Sequence, residues 1–561
     1  MKRYTIIVFI LFFIATLFAK SIEDPVLTSA NSELNRFMKE LSKEPVPPYF
    51  ISYGINEERS VSMTASFGKM LSDNSVHNRS LDIDLRVGSY EFDNTHIIRG
   101  SSFSFFSGTG FVSLPIDNNI DALRNAIWSA TDRSYKNAIE RFEKVTTNKA
   151  VKVEEEDLSN DFSKETPQKD IENPVEFRFN KELWAGRIQR LSALFNGNDW
   201  LYDGSVSVVA RLQTKYFVSS EGAVLRWYEP YYRVFVSLNT KSEDGMSLPL
   251  YTSYFSFAEE GLPTEETIAK DIIELINTLK SLRQAPLAET YTGPALLSGE
   301  ASGVFFHEIF GHRVEGHRLK DPDDAQTFKN SINKEILPKF ISVLFDPLKK
   351  GLGGTELSGY YKYDDEGVKS QTVHVVDAGI FKNFLMSRSP IDGFPTSNGH
   401  GRRHSGYSAV SRQSNLIVRS DKQKSVAQLK DMLREMCRNE GKEYGLYFVK
   451  VQGGFTFTGR TIPNSFNVNP IQVYKIYVDG RPDELVRGVD LIGTPLATFS
   501  NIVATGDDIG VFNGICGAES GGVPVSACSP SILVSKIEVQ KKRKSQAKLP
   551  ILPSPVNTLN N

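Results

Sequence analysis

Cysteine and histidine are scarce, with 3 and 8 among 561 residues. So small and odd a cysteine count excludes a disulfide framework and leaves at least one thiol over. Charge of one sign is also missing: 65 Lys and Arg stand against 67 Asp and Glu, a formal net charge of -2. This balance excludes a global basic field that would recruit nucleic acid or an anionic membrane. No repeat of fixed period occurs, which excludes solenoids and propellers. What remains is the composition of a soluble globular protein, 40% hydrophobic and 24% charged. The chain is too long for one ordinary core, and two or three domains are expected.

The N-terminus carries a targeting pattern. Lys2 and Arg3 precede an apolar run at 6–18, and Ala19 offers a small residue for cleavage. Residues 1–19 therefore read as a signal peptide, and the chain as periplasmic or secreted. The run is short for a permanent span. Left uncleaved, it would tether the same domains outside the membrane.

Periodicity divides the remainder. Helical spacing appears at 31–43 and again at 120–144, and a helix capped by Thr264 runs to about Leu282. Strand patterns at 81–87, 206–212, 214–219 and 232–238 lie between these helices. Residues 150–173 form a charged, apolar-poor run around Glu154, Glu155 and Glu156, read as an exposed insertion. After Pro286 the chain becomes strand-rich and Gly-punctuated. It keeps one helix opening on a Ser425–Gln428 capping box, and hairpins at Asp377-Ala378-Gly379 and Asp479-Gly480. The expected class is α+β, with an N-terminal α/β domain at 20–285 and a mostly antiparallel β domain at 286–540. A basic, Pro-rich tail at 541–561 reads as disordered.

The chemistry concentrates at Phe306-His307-Glu308-Ile309-Phe310-Gly311-His312. Imidazoles are common zinc ligands, and a Glu beside one is placed to take a proton from a metal-activated water. Spacing raises an objection. Residues five apart on a regular helix diverge by about 140°, so the two rings converge only if the helix ends between them. Gly311 is the residue that permits such an end. Glu315, His317 and Cys516 are available as a third ligand. Cys516 is favoured, because it lies in a Gly-flanked stretch read as a turn, and ligation would explain an unpaired thiol in an oxidising compartment. A small buried apolar residue is the alternative reading of Cys516. Arg402, Arg403, Arg412 and His400 lie in polar, Gly-rich sequence, where they could meet peptide carbonyls or a carboxylate. Asp364, Asp365 and Glu366 read as solvated carboxylates near a hairpin.

Further segments flank this motif in order along the chain. They are Leu297-Ser298-Gly299-Glu300-Ala301, Tyr363-Asp364-Asp365-Glu366-Gly367 and Asn398-Gly399-His400-Gly401-Arg402-Arg403. Val486-Arg487-Gly488-Val489-Asp490 and Gly514-Ile515-Cys516-Gly517 complete the series. Together they resemble the TldD/PmbA metallopeptidase family, strongly over about 286–540 and more weakly from about 30. The resemblance implies one zinc held by His307, His312 and Cys516, with Glu308 as catalytic base. It also implies a strongly twisted, barrel-like C-terminal β domain and action on extended peptides within a dimer. That dimer would be a homodimer or a pair with a PmbA-like subunit. The complete His-Glu motif resembles the TldD-like catalytic branch. The export signal and the insertion at 150–173 depart from the family pattern. A competing expectation is a non-catalytic exported peptide- or metal-binding protein, with its zinc site closed by a fourth protein ligand.

Overall fold

The structure, a computed structural model, describes residues 24–98, 110–151, 157–321, 324, 326–456, 466–492 and 499–542. The expected signal peptide and all but the first residues of the expected tail lie outside these.

Long antiparallel hairpins build the N-terminal part. In the strand Leu201–Ser219, Val206, Val208, Ala210 and Leu212 are buried, while Ser207, Arg211 and Gln213 on the other face are half-buried. That alternation gives a sheet with one apolar and one polar face. The strand lies between Pro48–Ser66 and Val224–Lys241. The sheet has seven strands, ordered 112–113, 69–87, 48–66, 201–219, 224–241 and 169–171, with 247–256 also paired to 224–241. Helices cover the apolar face. Pro25–Leu41 and Ile120–Val151 share a core with Ile51, Tyr53 and Leu85. Lys181–Ala193 and Glu265–Gln284 share another with Val206, Val208 and Val234. Thr264 caps the last helix, its hydroxyl accepting from Thr267 N at 3.4 Å.

The C-terminal part is mixed with few helices. Strand Tyr291–Leu297 pairs with Tyr444–Thr456 on one side and Ile532–Lys541 on the other. Pairings through Phe466–Tyr477 and Val489–Ile492 close the ring into a barrel-like sheet. A second, six-stranded sheet runs 380–381, 373–377, 341–345, 415–420, 521–529 and 510–518. The helix Gly299–Ile309 joins both in one apolar cluster. Its Phe305, Phe306 and Ile309 are buried with Phe448 and Val473 of the barrel and Val343 and Leu416 of the sheet. Close packing demands glycine here, since a Cβ on Gly303 would meet Ala527 O at 2.7 Å.

Two expectations are corrected. The segment after 156 is packed, not a free insertion. Phe162 is 1% exposed, held between the guanidinium groups of Arg86 and Arg388 at 3.7 and 3.9 Å. Farther on, Lys169–Ile171 adds a parallel strand to Val224–Lys241. Nor are the carboxylates at 364–366 solvated. Asp364 accepts from Gly401 N at 2.9 Å, Asp365 from Lys215 Nζ at 2.9 Å and Glu366 from Arg388 N at 2.7 Å.

Candidate metal centre

The helix carrying His307 and Glu308 begins at Ser298, whose hydroxyl accepts from Ala301 N at 3.2 Å. It ends at Ile309, and Gly311–Arg313 follow as a 3-10 turn. Arg313 Nη1 donates to the carbonyls of Glu308 and Ile309 at 3.1 and 2.8 Å, which satisfies the helix end. Because the α-helix stops, the five-residue spacing no longer spreads the imidazoles. The rings of His307 and His312 lie 5.1 Å apart.

Cys516 arrives from the other side of the core. It lies in the strand Gly510–Ala518, opposite Val523, and not in a turn; the turn comes at Glu519 and Ser520. One potential ligand atom from each of His307, His312 and Cys516 lies within 4.8 Å of the others. The three residues are 8%, 7% and 5% exposed, so the donors face a nearly dry space. Cys437, Cys516 and Cys528 are all free, so no disulfide competes for the thiol.

The donor set fits a zinc ion. His312 Nε2 and Cys516 Sγ are 3.5 Å apart. Ligands at about 2.0 and 2.3 Å from a tetrahedral ion would be separated by about 3.5 Å. Among the described residues, the buried His307 Nδ1 has no hydrogen-bond partner. Charge agrees with the geometry. Burial opposes ionisation of Cys516, but His312, Arg412 and His307 outweigh it and hold the thiol well below its usual range. Burial likewise opposes a charge on His312, yet Cys516 and Glu315 hold that imidazole well above its usual range. A cation between these groups would take over the role of the His312 proton.

Glu308 stands at the edge of this group, its Oε2 4.0 Å from His312 Nε2. Burial raises the affinity of its carboxyl for a proton, opposed by His307 and His312. Such a carboxylate suits proton transfer across one intervening water.

A surrounding shell holds these three residues in place. Glu315, 0% exposed, is not a fourth member of the group. Its Oε2 meets His312 Nδ1 at 3.2 Å and accepts from Arg318 at 2.8 and 3.0 Å. Holding Nδ1 in this way turns Nε2 towards Cys516, the orientation a ligating imidazole requires. Burial opposes ionisation of Glu315, but His312 and Arg318 bring its pKa down to about 2. His317 also points elsewhere, to Glu519. Arg412 donates to the Cys516 carbonyl at 2.7 Å and lies 3.6 Å from Glu315 Oε1, and Gln413 donates to the His307 carbonyl at 3.3 Å.

The remaining candidates divide. Arg412 and His400 are each 0% exposed and bonded to protein groups, so neither is open to substrate; Arg412 positions Cys516 instead. His400 lies between Asn398 and Ser414. Arg402 and Arg403 line a cleft beside the Cys516 hairpin. Sequence reasoning missed Gln413 and Glu519 because nothing local ties a residue at 413 or 519 to a motif at 307. Glu315 was noticed only as a possible ligand.

Residues 290–541 match the PmbA/TldA metallopeptidase C-terminal domain. Over 265 residues the chain is 29% identical to a metalloprotease of Archaeoglobus fulgidus, an alignment covering 47% of this chain and 56% of that one. Over 268 residues it is 27% identical to a zinc metalloprotease TldD homolog of Saccharolobus solfataricus, covering 47% and 54%. The chain thus spans about half the length of these curated relatives. In fold it resembles TldE of Thermococcus kodakarensis, with a TM-score of 0.58 and 12% identity over 91% of this chain and 100% of that one.

Proposed function

From a chain that belongs to the TldD/PmbA family, we propose a zinc-dependent peptidase that hydrolyses extended or unfolded peptides. The observation that carries this reading is the convergence of His307, His312 and Cys516 with Glu308 beside them. His307, His312 and Cys516 would hold the zinc. Bound there, zinc would supply Lewis acidity towards water and the scissile carbonyl.

The protein's own residues do the rest. Glu308 accepts the proton of the attacking water and delivers it to the departing amine. Its burial keeps the proton within the site between the two steps. Glu315 and Arg318 keep His312 in one orientation, and Arg412 does the same for the backbone of Cys516. The strand Gly510–Ala518 ends its sheet, and beside Gly517 the space is open. An extended peptide can add to that edge through main-chain hydrogen bonds with little side-chain preference.

A binding protein with a closed structural zinc is the weaker reading. Glu315 and His317, the neighbours able to close such a site, are engaged by Arg318 and Glu519. Export, and assembly as a homodimer or with a PmbA-like subunit, belong to the same proposal. Fractionation of cells and the mass of the purified protein in solution test them.

Glu308→Gln tests the mechanism. Hydrolysis of an unstructured peptide should fall by at least about 10²-fold, while zinc stays bound. Activity that survives the change would sink the role given to Glu308.

A further inference from the structure

Beside the metal centre, a cleft of about 320 Å³ separates the polar face of the N-terminal sheet from the Cys516 hairpin. Ile515, Val523 and Pro524 form one wall, and Val523 is the pairing partner of Cys516. Arg211 and Lys215 of the strand Leu201–Ser219 form the facing wall.

The charges in this cleft are not all matched. Lys215 is neutralised by Asp365 at 2.9 Å and Glu229 at 3.2 Å, and Arg403 meets Asp82 at 3.5 Å. Arg211 has no carboxylate partner among the described residues. Its guanidinium lies over the Tyr231 ring at 4.7 Å, and its Nε is buried without an acceptor. The adjoining strand repeats the arrangement. Arg211 pairs with Tyr231 and Val209 with Arg233, so the two arginines are diagonal neighbours on one face. Among the described residues, Arg233 donates only to neutral oxygens, those of Tyr231, Ser253 and Asn513 at 3.4, 3.1 and 3.2 Å, and its Nε too lacks an acceptor. Burying a guanidinium nitrogen unpaired is costly, and a carboxylate removes that cost through charge-assisted, often bidentate hydrogen bonds. Asn513 lies on the same strand as Cys516, so this cationic pair borders the strand that carries a metal ligand.

We propose that the cleft is a carboxylate subsite of the peptide site, in which Arg211, with Arg233 beside it, takes a carboxylate of the bound peptide. This deepens the peptidase reading and rests on it. The carboxylate belongs either to the peptide's C-terminus or to an acidic side chain.

Peptide binding to the zinc-loaded Glu308→Gln protein distinguishes these sources without turnover. Fluorescence anisotropy would compare one neutral peptide with a free or an amidated C-terminus. It would also compare a C-terminally amidated peptide carrying Glu with its Gln counterpart. At least one carboxylate form should bind about tenfold tighter than its neutral counterpart, as expected for a charge-assisted pair. Arg211→Gln should erase that preference with zinc content and circular dichroism unchanged, and Arg211→Lys should restore part of it. A preference for the free terminus alone identifies the C-terminal carboxylate, and one for Glu alone an acidic side chain. Equal binding of charged and neutral forms overturns the subsite. So does a preference that survives Arg211→Gln combined with Arg233→Gln. Absence of hydrolysis by the wild-type protein, with the preference intact, would overturn the peptidase reading and leave the subsite standing.

Discussion

At Gly311 the chain passes so close to Gln413 that an added Cβ would sit 1.9 Å from its Oε1. Gly311→Ala should therefore destabilise the fold by about 1–3 kcal/mol and weaken zinc binding by displacing His312. Thermal melting and a zinc titration of the variant read the two effects; unchanged zinc affinity would separate Gly311 from the metal geometry. The need for a helix end between the two histidines was legible in their spacing and in this glycine. The bond from Glu315 to His312 was not, because it depends on how the chain turns after the helix ends. His400 gives a second prediction at this scale. Burial, with Arg402 nearby, pushes its pKa down to about 3. The unfolded chain takes up that proton below about pH 6.5, while the folded one resists. Its contribution to stability is thus complete above that range and lost as pH falls from about 6.5 towards 3. His400→Gln should shrink the drop in urea midpoint between pH 7.5 and 5; an unchanged drop would contradict this.

Among the elements, the segment from 157 to 172 departs most from what composition suggests. It has few apolar residues, but Phe162 is fully buried, and around it Ser163 N donates to the Arg388 carbonyl at 2.8 Å. Asp161 accepts from Asp93 N at 2.9 Å, and Ser159 donates to the Pro390 carbonyl at 2.9 Å. The segment therefore ties the N-terminal sheet to loops of the C-terminal part. Phe162→Ala should cost about 3–5 kcal/mol and open this segment to limited proteolysis before the rest of the chain. Cleavage no faster than in the wild type would mean that the strap is held elsewhere. Elements with local signals were legible. The caps at Thr264 and Ser425 stand where the sequence puts them, and Ser425 forms its capping box with Gln428. The strap was not legible, because one aromatic between two arginines leaves no periodicity. Cys516 was misread for a related reason: glycines on either side suggested a turn, whereas the chain stays extended along a sheet edge.

In the whole molecule, the candidate metal centre draws on segments far apart in sequence: the helix end at 307–313, the stretch at 412–413 and the edge strand at 516. The α+β class and the barrel-like sheet could be anticipated, the first from patterning and the second from family resemblance. The closing pairing of Tyr291–Leu297 with Ile532–Lys541 joins residues more than two hundred positions apart, so no local pattern reveals it. Zinc content per chain, measured on protein purified without chelator alongside Cys516→Ser, tests the site most directly. About one zinc per wild-type chain is expected, with a clear loss in Cys516→Ser. A wild-type protein without zinc, or a Cys516→Ser protein that holds zinc as tightly as the wild type, would contradict the assignment of His307, His312 and Cys516 as its ligands.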